Sequence, residues 1–170
     1  RSKRLCMSGR VWKFGDSIST DLIAPGRYFH LRSNLPELAK HVLEDARPEF
    51  ASEVKLGDFI VTGENFGLGS SREHAPRIIK LSGIIGIMSS SFARIFFRNC
   101  INIGLPAIIC DTSIFDDGDI VEVDLEQGKA KNITKNIETK FNPLPKVMTK
   151  ILKDGGLVEH IKKNGDFKLR

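Results

Sequence analysis

Three short apolar runs, separated by two segments with helical periodicity, constrain the fold of this chain more than any other feature. The runs span residues 58–62, 84–88 and 106–110, and each has the length of a buried strand. Between them, apolar residues recur at helical spacing in 75–81 and 92–101. Strands that alternate with helices predict an α/β domain. The second helix shows three large apolar side chains on one side, Phe92, Ile95 and Phe96.

A later segment adds strands of another kind. Residues 120–125 alternate between the two faces of a strand, which is typical of a half-exposed strand. Residues 133–141 are predicted as its hairpin partner. This pair favours a mixed sheet over a purely parallel one.

The remaining elements complete one domain over residues 1–170, a size that buries a substantial core. We expect residues 1–9 to form a flexible extension before a first strand at 11–14. A helix is predicted to begin near Pro36, which suits a first helical turn. Its cap is predicted at Asn34 or Leu35. Two further helices are predicted, one at 147–152 and a short basic one at 158–163.

Composition excludes some classes of function. The chain is 41% hydrophobic and 28% charged, with no apolar run of the ~20 residues that a membrane span needs. The net charge of +5 arises largely at the termini, and it fits either solvated ends or an anion-binding protein. Nucleic acid is only weakly indicated, because the one aromatic–basic cluster, Phe96, Phe97 and Arg98, lies in an apolar segment.

Cysteine spacing argues against a structural metal site. Cys6, Cys100 and Cys110 lie far apart and form no zinc pattern with histidine, so we predict no metal on this chain. An odd cysteine count without a secretory signal indicates a reducing compartment. We expect the cytoplasm, or an organelle matrix if the basic N-terminus is a processed leader.

The segment most suited to chemistry follows the strand at 58–62 and precedes a helix. Glycines at 63, 67 and 69 allow positive φ and a close approach of the backbone to a ligand. Ser70 and Ser71 add hydroxyls, and Arg72 adds a two-pronged donor for a carboxylate or phosphate. The segment therefore predicts an anion site.

A structural explanation competes with this one. Ser70 and Glu73 have the spacing of a helix capping box, which would account for both residues. Pro76 argues against that box, because a helix capped by Ser70 would carry Pro76 beyond its first turn. The segment lacks the Gly-Lys-Ser/Thr of a phosphate loop and the third glycine of a dinucleotide fingerprint. His74 fits a structural role better than a catalytic one.

Residues 65–76, Asn-Phe-Gly-Leu-Gly-Ser-Ser-Arg-Glu-His-Ala-Pro, resemble the signature of the aconitase superfamily's swivelling domain. Within that superfamily, the chain most resembles the free-standing small subunits of isopropylmalate and homoaconitate hydro-lyases. The resemblance covers nearly the whole chain. Other matching segments are 13–16, 20–23, 25–28, 91–99, 104–106 and 155–157.

The resemblance implies a three-layer β/β/α domain with a mixed sheet. It also implies an iron–sulfur large subunit as partner, in a heterodimer or heterotetramer, with the [4Fe–4S] cluster on that subunit and no cofactor on this chain. By resemblance Ser70 is the general base, while Gly69, Ser71 and Arg72 bind a carboxylate of a small hydroxy-polycarboxylate. The reaction would be dehydration and rehydration through an alkene acid.

The resemblance also implies a substrate-specificity loop at Tyr28, Phe29, His30, Leu31, Arg32 and Ser33. Arg32 pointing inward would bind an additional carboxylate, whereas Arg32 pointing outward would leave Phe29 and Leu31 to line an apolar pocket. We expect isopropylmalate, as in leucine biosynthesis. The alternatives are a homoaconitate, dimethylmalate or citrate-type hydro-lyase, and a non-catalytic module that binds anions or nucleic acid.

Overall fold

The first strand joins two parts of one curled sheet. A computed structural model describes residues 6–156 and 161–163. In it, β1 (Cys6–Lys13) pairs through residues 6–10 with an antiparallel neighbour and through residues 11–13 with a parallel one. The strand therefore begins earlier than the predicted 11–14. Residues 6–9, expected to be flexible, belong to β1 because their backbone groups pair with a later strand.

Seven strands form this sheet in the order β4-β3-β2-β1-β5-β6-β7. The contacts between β1, β2, β3 and β4 are parallel, and those from β1 through β5 and β6 to β7 are antiparallel. The sheet is thus mixed, as the sequence predicted. The bounds after β1 are β2 (Phe59–Thr62), β3 (Gly86–Ser89), β4 (Ala107–Ile109), β5 (Ile120–Asp124), β6 (Lys129–Asn132) and β7 (Ile137–Lys140).

The antiparallel part contains one wrong prediction. The alternation of β5 is confirmed, since Val121 and Val123 are buried and Ile120 is exposed. Its partner, however, is β6 and not a strand at 133–141. Residues 133–136 turn the chain, with Asn136 at a φ of +55°, and β7 then pairs with β6.

Helices form a layer against the sheet, where α2, α4, α5 and α6 contact one another in that order. The α-helices are α1 (Thr20–Ile23), α2 (Leu35–Ala39), α3 (Phe50–Glu53), α4 (His74–Leu81), α5 (Arg94–Asn102) and α6 (Lys146–Lys153), and short 3-10 helices span Gly26–Leu31 and Thr112–Ile114. The Asn34 side chain caps α2 by accepting from the Glu37 N–H, as predicted. The predicted helix at 158–163 includes residues outside the described ones.

The buried face of α5 differs from the predicted one. Phe96, Cys100 and Ile101 are buried, whereas Ile95 is 56% exposed. Burial of Phe96 also removes the central ring from the aromatic–basic patch considered for nucleic acid. Within the described part of the chain, no helix has the length and apolarity needed to cross a membrane.

Candidate functional site

The loop at 63–73 leaves the carboxyl end of β2 and lies between two other segments. The Gly67 N–H donates to the Ile18 carbonyl at 2.7 Å, and the Leu68 carbonyl accepts from the Thr20 N–H at 2.8 Å. On the other side, the Ala93 N–H donates to the Phe66 carbonyl at 3.0 Å. These backbone bonds fix the loop to residues 18–20 and 91–93, so its geometry depends on segments distant in sequence.

A buried serine strengthens the same region. The Ser89 hydroxyl, at the end of β3, lies 2.5 Å from the Gly63 carbonyl oxygen and 2.6 Å from that of Ser91. It therefore links the start of the site loop to the segment that leads into α5. This position explains a polar residue in an otherwise apolar strand.

Two glycines give the loop its path. Gly67 has a φ of +84° and packs so closely on Phe96 that a Cβ there would lie 2.2 Å from the ring. Gly69 has a φ of +103°, and a Cβ there would lie 3.3 Å from the Thr20 hydroxyl. Both positions therefore need glycine for their backbone conformation, and Gly67 needs it for space as well.

Ser70 carries an exposed hydroxyl in this loop, as its neighbour Ser71 does. Its Oγ accepts a hydrogen bond from Arg72 Nε at 3.2 Å, and its carbonyl accepts one from the Thr20 hydroxyl at 2.9 Å. The capping box does not form. Helix α4 begins at His74 with Glu73 as its cap residue and no side-chain cap bond. Ser70 is therefore outside the helix, as Pro76 indicated.

Arg72 is mostly buried, with 21% of its side chain exposed. Its Nη1 donates to the Ala24 carbonyl at 2.9 Å and lies 3.4 Å from the Asp21 carboxylate. Asp21 is itself 64% exposed, so Arg72 is not locked to an internal acid. Among the described residues, its Nη2 has no hydrogen-bond partner, which leaves one donor edge available for an anion.

A cavity of about 300 Å³ opens beside the loop. The site loop contributes Gly67, Gly69, Ser70, Ser71 and Arg72 to its lining, and α1 contributes Thr20. The other lining residues belong to α5 and its cap. They are Ala93, Arg94, Ile95, Phe96 and Asn99. The structure thus brings four predicted site residues, Gly69, Ser70, Ser71 and Arg72, to one cavity.

The predicted specificity loop divides into structural and exposed residues. The Tyr28 hydroxyl donates to Glu44 at 2.9 Å, and its ring stacks on His41 with centroids 3.8 Å apart. Tyr28 therefore anchors the 3-10 helix Gly26–Leu31, and Leu31 packs partly against the core. The members with exposed side chains are Phe29, His30, Arg32 and Ser33.

Arg32 does not line the cavity. Its guanidinium carbon lies 4.1 Å from the centre of the Phe29 ring, and Nη1 donates to the Phe29 carbonyl at 3.1 Å. Arg32 thus folds back onto its own loop. Its role in substrate binding stays a prediction.

His74 links this loop to the site loop. Its half-buried ring lies 6.0 Å from the Phe29 ring, in an edge-to-face arrangement. Burial, and then the charges of Arg72 and Arg32, lower the pKa of His74 below its ordinary value of 6.5. The ring is therefore neutral near pH 7, which limits the positive charge around the cavity.

Two of the three thiols are unsuited to ligate a metal. Cys100 and Cys110 are both buried. Burial raises the pKa of Cys100 well above its ordinary value and that of Cys110 to about 12. Within the ranges that the structure describes, no three His, Cys, Asp or Glu side chains cluster as metal ligands would.

Several cavity residues escaped the sequence analysis. Thr20 lies 50 residues from the Ser70 that it contacts. Arg94, Ile95 and Asn99 belong to a segment that the sequence predicts as a helix, without indicating a role in the site. The available sequence signal for these cavity residues was the presence of polar residues in α5 next to an apolar helix face. Only their position in the fold shows that they line the same cavity as Ser70 and Arg72.

Comparison with known families identifies the class. The model of the aconitase C-terminal domain matches residues 22–111. This stretch is more than half of the 170-residue chain, and it contains the site loop, the Gly26–Leu31 helix and α5. The chain belongs to this aconitase family.

Individual relatives match over almost their whole length. The 3-isopropylmalate dehydratase small subunit 2 of Archaeoglobus fulgidus is 60% identical, over 96% of this chain and 99% of that protein. The methanogen homoaconitase small subunit of Methanothermobacter thermautotrophicus is 54% identical, over 93% and 92%. The crystal structure of 3-isopropylmalate dehydratase from Methanocaldococcus jannaschii is 45% identical, with a TM-score of 0.90, and covers 95% of this chain and 96% of that chain. This last match confirms the predicted fold.

Proposed function

We propose that this chain is the small subunit of a hydro-lyase that interconverts 2-isopropylmalate and 3-isopropylmalate by dehydration and rehydration. The observation that carries the proposal is the exposed Ser70 hydroxyl, outside any helix cap and bonded to Arg72 Nε at the edge of a cavity. The names of the nearly full-length relatives support the same reaction. They also favour an enzyme subunit over a non-catalytic anion-binding module.

Ser70 acts as the general base in this proposal. A free serine hydroxyl is a poor base, so the protein must favour its alkoxide. The Arg72 Nε–H, which donates to Ser70 Oγ at 3.2 Å, provides a positive charge and a hydrogen bond for that alkoxide. The Thr20 bond to the Ser70 carbonyl fixes the backbone from which the hydroxyl projects.

Arg72 and its neighbours hold the carboxylate next to the proton that Ser70 removes. The second terminal nitrogen of Arg72 has no partner among the described residues, and Ser71 is exposed beside it. Negative charge develops on that carboxylate as the proton leaves. Donors already in place stabilise this charge without reorganisation.

A partner subunit completes the site. Several relatives are named small subunits, which implies a large subunit, and we propose that it carries a [4Fe–4S] cluster in a heterodimer or heterotetramer. The buried thiols of this chain do not fit as cluster ligands. When bound to the large subunit, the cluster supplies a Lewis acid for the leaving hydroxyl group. The reduced thiols fit a cytoplasmic or organelle-matrix enzyme.

Homoaconitate is the second candidate substrate. It is favoured by the 54% identical relative named methanogen homoaconitase small subunit. Its extra carboxylate would need another cation, which Arg32 could supply by leaving the Phe29 ring. The stacking of Arg32 on Phe29 supports a substrate with an alkyl branch instead.

Anaerobic reconstitution tests the proposal. The chain is combined with the large subunit of a close relative, and alkene-acid formation is followed by absorbance for isopropylmalate, homocitrate, citrate and dimethylmalate. We expect turnover only when both subunits are present, and fastest with isopropylmalate. Binding of nucleic acid by the chain alone, weakening steeply with salt, together with no turnover by the pair, would contradict the proposal.

A further inference from the structure

We infer that Arg94 binds the second carboxylate of the substrate, and that Ile95 beside it contacts the alkyl branch. The inference rests on the proposed function and assigns the α5 wall of the cavity a part in it. It names a binding residue on an element other than the loop that carries Ser70 and Arg72.

The Arg94 guanidinium has no partner among the described residues. Arg94 is the first residue of α5, and its exposed side chain makes no hydrogen bond or ion pair with any of them. By contrast, Arg72 is bonded to Ala24 and Arg32 to Phe29. Arg94 therefore offers a whole guanidinium group to a ligand in the cavity.

The position of Arg94 matches a dicarboxylate. Arg72 and Arg94 both line the same cavity of about 300 Å³, one from the site loop and the other from α5. A dicarboxylate has one charged group for each of these two arginines. Arg32, the cation predicted for an additional carboxylate, lies outside the cavity.

Ile95 indicates what lies between the two carboxylates. It is a large apolar side chain, 56% exposed, on the wall of a cavity that otherwise attracts anions. Contact with an alkyl group would remove apolar surface of both partners from water, which is favourable. Two cations and one aliphatic side chain fit a dicarboxylate with a branched alkyl group better than a tricarboxylate or a polyphosphate.

The experiment compares Arg94→Gln with Arg98→Gln in the reconstituted heteromer. Arg98 is the matched control, because it is an exposed arginine of the same helix whose side chain makes no hydrogen bond with a described residue and does not line the cavity. For Arg94→Gln we expect KM for isopropylmalate to rise on the order of a hundredfold, with a much smaller change in kcat. Arg94→Lys, which keeps the charge but not the fork, should raise KM about tenfold.

Amides of the substrate separate binding from a structural effect. In wild type, converting either carboxylate of isopropylmalate to an amide should raise KM. In Arg94→Gln, one of the two monoamides should show no further loss, since its missing charge has lost its partner. If each monoamide raises KM by the same factor in Arg94→Gln as in wild type, the assignment is overturned.

Partner binding is measured separately by calorimetry. An unchanged KM in both Arg94→Gln and Arg94→Lys would overturn the inference. A rise in KM that disappears at saturating large subunit would also overturn it, because such a rise would place Arg94 at the subunit interface. In both cases wild-type turnover leaves the proposed function standing. No turnover by the wild-type heteromer would overturn the proposed function and, with it, this inference.

Discussion

Arg72 combines several roles at the scale of a single residue. Its Nε bonds to Ser70 Oγ, its Nη1 bonds to the Ala24 carbonyl, and its Nη2 is left without a partner among the described residues. The planar guanidinium carries its donors on three separate nitrogens in a fixed fork, which the single ammonium nitrogen of a lysine does not reproduce. A lysine at this position would supply the charge and lose the geometry.

We therefore expect Arg72→Lys to raise KM for isopropylmalate about tenfold or more and to lower kcat as well, because the Ser70 hydroxyl loses its donor. Steady-state kinetics of the reconstituted heteromer measure both. Arg77→Lys is the control, since Arg77 is an exposed arginine that does not line the cavity. Equal kinetic constants for Arg72→Lys and wild type would contradict this role.

Sequence alone predicted part of the site at this scale. Gly69, Ser70, Ser71 and Arg72 adjoin one another in sequence, so a single loop brings them together. The cavity wall at Arg94 depends on how α5 packs beside that loop, which no local pattern contains. The direction of Arg32 likewise depends on a contact with Phe29 that only the folded 3-10 helix creates.

At the scale of elements, the site loop depends on its attachment to the first residue of α1. The buried Thr20 hydroxyl donates to the Ser70 carbonyl at 2.9 Å. Thr20→Val keeps the shape and removes this bond, so we expect a loss of stability of about 1 kcal/mol. We also expect kcat to fall about tenfold, because Ser70 is no longer held in place.

Thr62→Val is the matched control for that prediction. Thr62 is also buried, and its hydroxyl donates to the Gly15 carbonyl at 2.6 Å, a bond that does not involve the cavity wall. We expect a similar loss of stability and an unchanged kcat, measured by urea unfolding and turnover. A normal kcat in Thr20→Val would show that the bond is structural only.

Gly67→Ala tests the contact between the loop and α5. Alanine at a φ of +84° costs about 1 to 2 kcal/mol, and its Cβ would overlap the Phe96 ring, which costs about 1 to 3 kcal/mol more. Gly118→Ala, at a φ of +86° with nothing near its Cβ, should show the backbone cost alone. Equal urea midpoints for the two variants would contradict the close packing of Gly67 on Phe96.

The elements themselves were predicted where their apolar pattern is strong. Strands β2, β3 and β4 and helix α4 bury most of their apolar side chains, and the sequence locates them to within a few residues. β6 buries only Ala130, which lies between two lysines, and the polar Asn132, so its sequence has no apolar pattern that would predict a strand. Its pairing with β5 is set by the turn at Gly128 and by burial of alternate residues.

At the scale of the whole molecule, β1 joins the parallel and antiparallel parts of the sheet, and a charged cluster covers it. Arg47 makes a two-pronged ion pair with Asp117, at 2.7 and 2.8 Å, and lies 4.6 Å from the ring centre of the buried Trp12. Trp12 is the only tryptophan, so its fluorescence reports on unfolding around β1.

This cluster gives stability a dependence on pH. Hydrogen bonds from Arg47, opposed in part by burial, lower the pKa of Asp117 below its ordinary value of 3.8. The charged carboxylate is thus favoured in the folded chain. Its contribution to stability is present above pH 3.8 and is lost as the pH falls through the lowered pKa.

We expect Asp117→Asn to cost up to about 1 kcal/mol near pH 7, since the pair is half-exposed. The difference from wild type should shrink as the pH falls below 3.8, as followed by urea unfolding and Trp12 fluorescence. Glu53→Gln, which removes an exposed carboxylate that has no ion pair with a described residue, is the control. A difference in unfolding free energy between Asp117→Asn and wild type that stays constant with pH would show that the shape of the Asp117 side chain matters and its charge does not.

Turnover by the heteromer containing Ser70→Ala tests the central claim most directly, with Ser90→Ala as the control for an exposed serine outside the cavity. We predict normal assembly with the large subunit for both variants. For Ser70→Ala we predict a fall in kcat on the order of a hundredfold or more and no comparable change for Ser90→Ala. A near-normal kcat in Ser70→Ala would contradict the assignment of this hydroxyl as the base.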